Sequence, residues 1–279
     1  MRSTEDELRE LTRIARAASD VVMEVYASPF TVEMKSPGDP VTLADKRANE
    51  LLCREIAASF PGEAIVAEED APRSAEEMRA LLSRERVFFV DPLDGTRDFA
   101  ARRAEFSVMI GVAIGGRAAL GVLVMPVSGE ALAGDARAPG SATIEAKDGA
   151  RAPLHVTPLA DIREARLMVS RSRRPPLVGP LAEKLGIPTV IPCGSVGVKV
   201  ARVVMAEADL YVHGGGGIHS WDLCGPEAVL VAAGGRVTTL QGTPLDYAAS
   251  LLHHDGFVGT NSALHDTVLS ALAELGVKN

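Results

Sequence analysis

Apolar residues recur at helical intervals near the start of the chain. Leu8, Leu11, Ile14, Ala18, Val21, Val22 and Val25 keep to one face until Ser28-Pro29 interrupts them. With Thr4 and Glu7 at capping-box spacing, this predicts an amphipathic helix over 4–27. A second helix is predicted from near Thr42 to Ser59, with Leu43, Leu51, Leu52 and Ile56 on its apolar face, before Pro61-Gly62 ends it. Between the two, Lys35 to Pro40 reads as a polar loop. The pattern then shortens to β-like runs at Ala64–Ala67, Val87–Val90, Phe106–Ile114 and Ala118–Met125, the last two joined by Gly115-Gly116 as a hairpin. Ser74 and Glu77 cap a helix that reaches about Arg84.

Residues 134–153 are rich in Gly, Ala, Pro and Asp and read as a loop and a boundary between two subdomains, 1–150 and 151–279. Beyond it strands (Arg166–Ser170, Thr189–Ile191, Ala208–Val212, Phe257–Thr260) alternate with helices (Leu177–Leu185, Val196–Ala206, Leu223–Ala233, Ala263–Leu275), which predicts a mixed α/β fold. Composition narrows the function. The chain has 279 residues, enough for a sizeable core, and a net charge of −8, which repels nucleic-acid backbones and anionic lipid. Neither nucleic acid nor membrane is expected as a partner. Three widely spaced cysteines (Cys53, Cys193, Cys224) make neither a disulfide framework nor a zinc site, and the opening MRSTEDELRE is charged where a signal peptide turns apolar. A cytoplasmic, reducing setting is expected.

Candidate chemistry concentrates in VFFVDPLDGTRDF, Val87 to Phe99, where a hydrophobic strand runs into two carboxylates. Pro92 and Gly95 force a turn that brings Asp94 and the Leu93 carbonyl back toward Asp91, an oxygen cluster suited to Mg²⁺. A structural Asx-turn accounts for the same residues equally well. Glu68-Glu69-Asp70 follows another strand, a position where α/β folds collect functional groups, although an acidic triplet also suits solvated surface. Asp222, after a glycine-rich loop, is most economically a helix N-cap. If Glu68, Asp91, Asp94 and Asp222 share one cleft, their repulsion demands cations, and a pair of such ions can activate water against a phosphoryl group.

These segments resemble the lithium-sensitive, magnesium-dependent phosphatases of the inositol monophosphatase superfamily, which includes the 3′(2′),5′-bisphosphate nucleotidases. The EED after a strand, VDPLDGTRDF, and IHSWDLCGPEAVLVAAGG are similar to three family segments in the right order. The resemblance implies an α-β-α-β-α sandwich, the inositol monophosphatase/sugar phosphatase fold, with two or three Mg²⁺ ions on Glu68, Asp91, the Leu93 carbonyl, Asp94 and Asp222. It places Glu69 behind them, Asp45 and Thr96 on the attacking water, and Lys35 on a mobile loop. Phosphoryl oxygens would meet the N–H groups of Gly95 and Thr96. The family also raises a homodimer, which nothing in the sequence fixes.

The substrate is read from the second half. Met168 to Pro176 and Gly194 to Lys199 resemble nucleotidase segments, so Ser170, Arg171, Arg173, Gly194, Ser195 and Lys199 are the expected substrate contacts, with donors for a second phosphate. Solvated arginines and an exposed Lys199 are the plainer alternative. The loop Val212–Ser220, with His213 and its glycines, lacks the Glu that inositol-specific members carry, while His219 is shared with them. His253 and His254 read as loop histidines rather than zinc ligands. The leading expectation is hydrolysis of 3′-phosphoadenosine 5′-phosphate to AMP and phosphate. Inositol phosphates and fructose 1,6-bisphosphate are alternative substrates, and a metal-binding regulatory scaffold is the non-enzymatic one.

Overall fold

A computed structural model describes residues 2–36, 39–72, 74–172, 176–215 and 217–277. The described chain runs through α1 (Thr4–Tyr26), β1 (Val32–Ser36), β2 (Asp39–Thr42), α2 (Leu43–Ser59), β3 (Ala64–Ala67), α3 (Ala75–Leu82), β4 (Arg86–Asp94), α4 (Thr96–Ala100), β5 (Ser107–Ile114), β6 (Arg117–Met125), β7 (Glu130–Asp135), β8 (Thr143–Glu145) and β9 (Arg151–Pro153). It continues through β10 (Arg166–Ser170), α5 (Val178–Leu185), β11 (Thr189–Cys193), α6 (Val196–Val204), β12 (Leu210–His213), β13 (Ile218–His219), α7 (Ser220–Ala232), β14 (Arg236–Thr238), β15 (Leu252–His253), β16 (Phe257–Thr260) and α8 (His265–Glu274). Among the described residues no helix is long and apolar enough to cross a membrane.

One sheet has the order β3-β4-β5-β6-β7-β8-β9, with β3 and β4 parallel and the later pairs antiparallel. The other runs β11-β10-β12-β16-β14, with β10 parallel to both neighbours. Alternation along the strands sorts the core into layers. Phe88 and Val90 of β4 pack with Leu11, Ile14, Leu52 and Ile56 of α1 and α2, whereas Val87 and Phe89 face the α6–α7 side. Met168 of β10 joins that same middle layer, while Leu167 and Val169 pack against α5 and α8. The result is the α-β-α-β-α order that the family resemblance implies.

Helix α7 lies unusually close to the large sheet because a glycine row crosses it. Gly111, Gly121 and Gly134 sit side by side on β5, β6 and β7. A Cβ at Gly111 would stand 2.4 Å from Gly225 N, and one at Gly121 only 2.3 Å from Gly225 O. Missing side chains thus seat the helix whose first turn carries Asp222.

Several boundaries differ from expectation. Ser3, not Thr4, caps α1 by accepting the Asp6 N–H at 3.1 Å, since the helix already begins at Thr4. Leu43 is 54% exposed and lies off the apolar face, which Ala44, Ala48, Leu52 and Ile56 form instead. The polar loop expected at Lys35 to Pro40 belongs to a β1–β2 ribbon, Met34 standing opposite Pro40, with residues 37 and 38 outside those described. All of β1 is exposed, so it shows no alternation that could be read. The stretch 134–153 is not loop throughout: it closes β7 and forms β8 and β9, each strand of three residues too short to carry a period. The short strands β13, β14 and β15 escape notice for the same reason.

Candidate active site

Strand β4 leaves the core at Val90 and continues through Asp91, Pro92, Leu93 and Asp94. Of the two residues expected to force the turn, Pro92 stays in β4 and only Gly95 makes it. Asp91 stays opposite Met109 and Asp94 opposite Ser107, with a bulge between them. Proline has no N–H to give the ladder, which suits a bulge. The chain turns at Gly95, whose φ of +97° only glycine adopts easily and whose missing Cβ would otherwise stand 2.7 Å from the Glu105 carbonyl. Asp91 Oδ1 accepts the Leu93 N–H at 2.9 Å, the Asx-turn bond of the structural alternative.

That bond is one part of a larger arrangement. One carboxylate oxygen from each of Asp91, Asp94 and Asp222 lies within 4.8 Å of the others. Asp222 reaches the group from the first turn of α7, where its Oδ2 also accepts the His219 N–H at 2.9 Å. It therefore caps the helix from the third position, not from the N-cap, and joins the cluster as well. Glu68, at the end of β3, stands beside this trio without belonging to it: its Oε1 accepts Lys35 Nζ at 3.0 Å, and Glu69 Oε1 accepts the same ammonium at 2.5 Å. Asp45, 1% exposed at the start of α2, accepts the Thr96 hydroxyl on Oδ1 at 3.0 Å, and that hydroxyl is equally near the Leu93 carbonyl. Asp45 is held from behind by Thr42, whose N–H and hydroxyl both donate to Oδ2 at 2.7 Å.

Electrostatics follow from burial. Asp91 is pushed well above the usual carboxylate range by burial, then by Glu68, Asp94 and Asp222. Burial, Asp94 and Glu68 do the same to Asp222. Burial raises Glu68 to about 7 against the pull of Lys35. Lys35 loses some basicity to burial, yet Glu68 and Glu69 outweigh this and hold it above its ordinary value. Buried carboxyls this close favour protons over charge unless a cation replaces them. The donors are all oxygen, so the residues fit the expected hard divalent ion.

The residues expected to meet a second phosphate are deployed differently. Arg171 gives its guanidinium to Asp98 and Glu105, both at 2.8 Å. Lys199 is 1% exposed, on neither a solvent face nor an open cleft; its ammonium donates to the Gly194 carbonyl at 2.7 Å and lies 4.9 Å from the centre of the Tyr211 ring. Ser195 caps α6 and gives its hydroxyl to Asp94, whose Oδ2 also accepts the Gly197 N–H at 2.7 Å. Gly194 donates its N–H to Glu105 at 3.0 Å. Ser170 ends β10 opposite Cys193, and Arg173 lies outside the described residues. His253, expected in a loop, lies in β15 with its Nε2 3.0 Å from the Ser220 hydroxyl. Sequence reasoning misses the clamp on Asp94 by Ser107, Ser195 and Gly197, although a serine just before an apolar helical run is an N-cap signal. Glu105, which ties Arg171 to Gly194, carries no local signal at all.

Comparison with known proteins agrees with this geometry. A profile described as the inositol monophosphatase family matches residues 4–276. The 3′(2′),5′-bisphosphate nucleotidase CysQ of Escherichia coli O157:H7 is 34% identical over 242 residues, 86% of this chain and 93% of that protein. A 3′-phosphoadenosine 5′-phosphate phosphatase of Mycobacterium leprae is 32% identical over 244 residues, 84% of this chain and 81% of the relative. Among solved structures, an inositol monophosphatase from Anabaena (Nostoc) sp. PCC 7120 superposes with a TM-score of 0.77 at 26% identity, covering 97% of this chain and 96% of its own.

Proposed function

Because the chain belongs to the inositol monophosphatase family, we propose that it is a phosphatase acting on 3′-phosphoadenosine 5′-phosphate, releasing the 3′-phosphate and leaving AMP. The observation that carries this reading is the convergence of carboxylate oxygens of Asp91, Asp94 and Asp222 within 4.8 Å of one another, the first two residues buried and Asp222 half-buried. The nucleotidase names borne by relatives at 32–34% identity support the substrate class.

In this reading Asp91, Asp94, Asp222, the Leu93 carbonyl and Glu68 hold Mg²⁺ ions, which when bound offset the carboxylate charge, polarise the phosphoryl group and acidify water. The rest falls to the chain. Thr96 donates a hydrogen bond to Asp45 Oδ1 and so turns its lone pairs toward the attacking water. The proton released in the attack passes to the Thr96 oxygen as the hydroxyl proton moves to Asp45, whose basicity burial raises, and solvent water protonates the departing 3′-oxygen. The N–H groups of Gly95 and Thr96 lie at the start of α4, where helix-end donors suit phosphoryl oxygens. Glu69 and Lys35 steady Glu68. Arg171, Gly194, Ser195 and Lys199 brace Asp94 and the α6 turn.

A phosphate-release panel tests the reading. With Mg²⁺ present, 3′-phosphoadenosine 5′-phosphate should exceed inositol 1-phosphate and fructose 1,6-bisphosphate in kcat/KM. Inositol 1-phosphate as the best substrate overturns the specificity, and no release from any ester overturns the activity.

A further inference from the structure

The carboxylates of the trio are held in different ways. Asp91 and Asp222 each accept an N–H from their own turn, those of Leu93 and His219. Asp94 is gripped from elsewhere in the chain. Its Oδ2 accepts the Gly197 N–H at 2.7 Å and the Ser195 hydroxyl, with the Ser107 hydroxyl 3.4 Å away. Counting hydrogens assigns the bonds. Ser195 has one hydroxyl hydrogen and gives it to Asp94, so in its 3.0 Å contact with Ser107 it is the acceptor. The hydroxyl bonds therefore run one way, from Ser107 to Ser195 to Asp94, and each link polarises the next. Ser195 Oγ also accepts the Val198 N–H at 3.0 Å as the N-cap of α6, which completes its bonding. Both lone pairs of Asp94 Oδ2 are taken by Gly197 and Ser195, so Oδ1 is the oxygen left for an ion.

The relay is rigid because it is built into the fold. Ser107 and Ser195 are both fully buried, and Ser107 stands opposite Asp94 in the β4–β5 register, just beyond the bulge. Helix α6 can come down on them because Gly197 has no side chain: a Cβ there would stand 2.3 Å from Ser107 Oγ and 2.5 Å from Met109 Sδ. A buried carboxylate that only needed hydrogen bonds would be served by donors on either oxygen. Here one oxygen is filled and the other is spared. That asymmetry bears on which ion fits. Mg²⁺ is small, demands a near-ideal octahedron and uses carboxylates one oxygen at a time, whereas Ca²⁺ takes a larger, more flexible shell and often both oxygens of one carboxylate.

We propose that Ser107 and Ser195 are positioning residues that hold Asp94 as a one-oxygen ligand and thereby set the preference of the carboxylate site for Mg²⁺ over Ca²⁺. This deepens the function proposed above and rests on its metal-dependent reading. Titration calorimetry with MgCl₂ and with CaCl₂, no ester present, gives the two dissociation constants. Ser195→Gly removes the hydroxyl while keeping a residue that serves well at a helix N-cap, and Ser107→Ala breaks the relay one step back without touching the cap. Ser195→Gly should weaken Mg²⁺ binding about ten- to a hundredfold, the range for losing the partner of a metal ligand. Ca²⁺ binding should weaken by a smaller factor, because the freed Oδ2 can enter the larger shell. Ser107→Ala should move the ratio of the two constants in the same direction by less. A weaker cap or a loosened core favours neither ion, so the ratio separates positioning from plain structural support. An unchanged Mg²⁺ constant in Ser195→Gly, or equal losses for both ions, overturns the proposal. Should Ser195→Gly fail to fold, a wild-type ratio in Ser107→Ala overturns it instead. A wild-type protein that binds neither ion overturns the metal reading itself, whereas binding with an unaltered preference in the variants overturns only the role of the serines, so the two fail separately.

Discussion

Asp91 is 1% exposed and faces Glu68, Asp94 and Asp222, so its charged form is disfavoured on every side. A carboxyl whose folded pKa lies above its unfolded value stabilises the protein below that unfolded value, and the benefit disappears as pH rises through the folded pKa. At neutral pH without divalent ions, Asp91 is therefore a burden on the fold, and Asp91→Asn should melt no lower than wild type in chelator. The same substitution should cut phosphate release more than about a hundredfold, the upper range for groups that merely support metal ligands. Melting curves in chelator and a phosphate assay check both; a lower melting temperature in chelator contradicts the electrostatic account. Glu227, buried in α7 and bonded by the Tyr247 hydroxyl, gives the sign with a value: burial raises it to about 7. Between about pH 4.5 and 7 the folded chain holds a proton there that the unfolded chain releases, so stability falls by roughly 3 kcal/mol across that window. Glu227→Gln, which cannot titrate, should flatten that part of the urea-stability profile against pH, and an unchanged slope contradicts it.

Elements decide where these residues stand, and α7 is the one whose seating matters most. Gly111→Ala would drive a methyl to within 2.4 Å of the Gly225 backbone nitrogen, and neither backbone can yield by rotating a side chain. Overpacking of this kind costs about 1–3 kcal/mol. Urea unfolding should show that loss, together with reduced phosphate release because α7 carries Asp222 away from β4. Gly179, inside α5, has nothing within 4 Å of the corresponding point, so Gly179→Ala should instead be neutral or stabilising by up to about 1 kcal/mol. Equal effects at the two sites contradict the close-approach account. The sequence shows α7 as an apolar run, and it shows the strands from Ala64 to Met125 because they are unbroken apolar, β-branched-rich runs bounded by turn residues. It shows the carboxylates because their spacing repeats a known pattern. It conceals the glycine row, whose members lie on three strands and align only once the register exists. It conceals the roles of Lys199 and Arg171 for a related reason: a basic side chain looks the same in sequence whether its partner is a substrate phosphate, a carbonyl five residues back, or Asp98 and Glu105.

At the scale of the molecule, the trio is drawn from separate layers. Asp91 and Asp94 belong to the large sheet, Asp222 to the middle helices, and Asp45, beside them through Thr96, to the outer helical layer. One apolar cluster joins the large sheet to α6 and α7 and a second joins it to α1 and α2, so packing presses the carboxylates together where the layers meet. A divalent ion that binds only the folded chain removes that repulsion and ties the layers to one another. At a hundredfold excess over its dissociation constant it adds about 2.7 kcal/mol. For a chain of 279 residues this raises the melting temperature by about 5 °C. The rise should appear with Mg²⁺ and not with NaCl at equal ionic strength, which separates site binding from screening of the net charge of −8. Asp222→Asn should fold, since the side-chain amide oxygen can still accept the His219 N–H, and yet lose most of the Mg²⁺-dependent rise. If Asp222→Asn keeps the full increment, the ion lies elsewhere and the carboxylate cluster is only a structural seam.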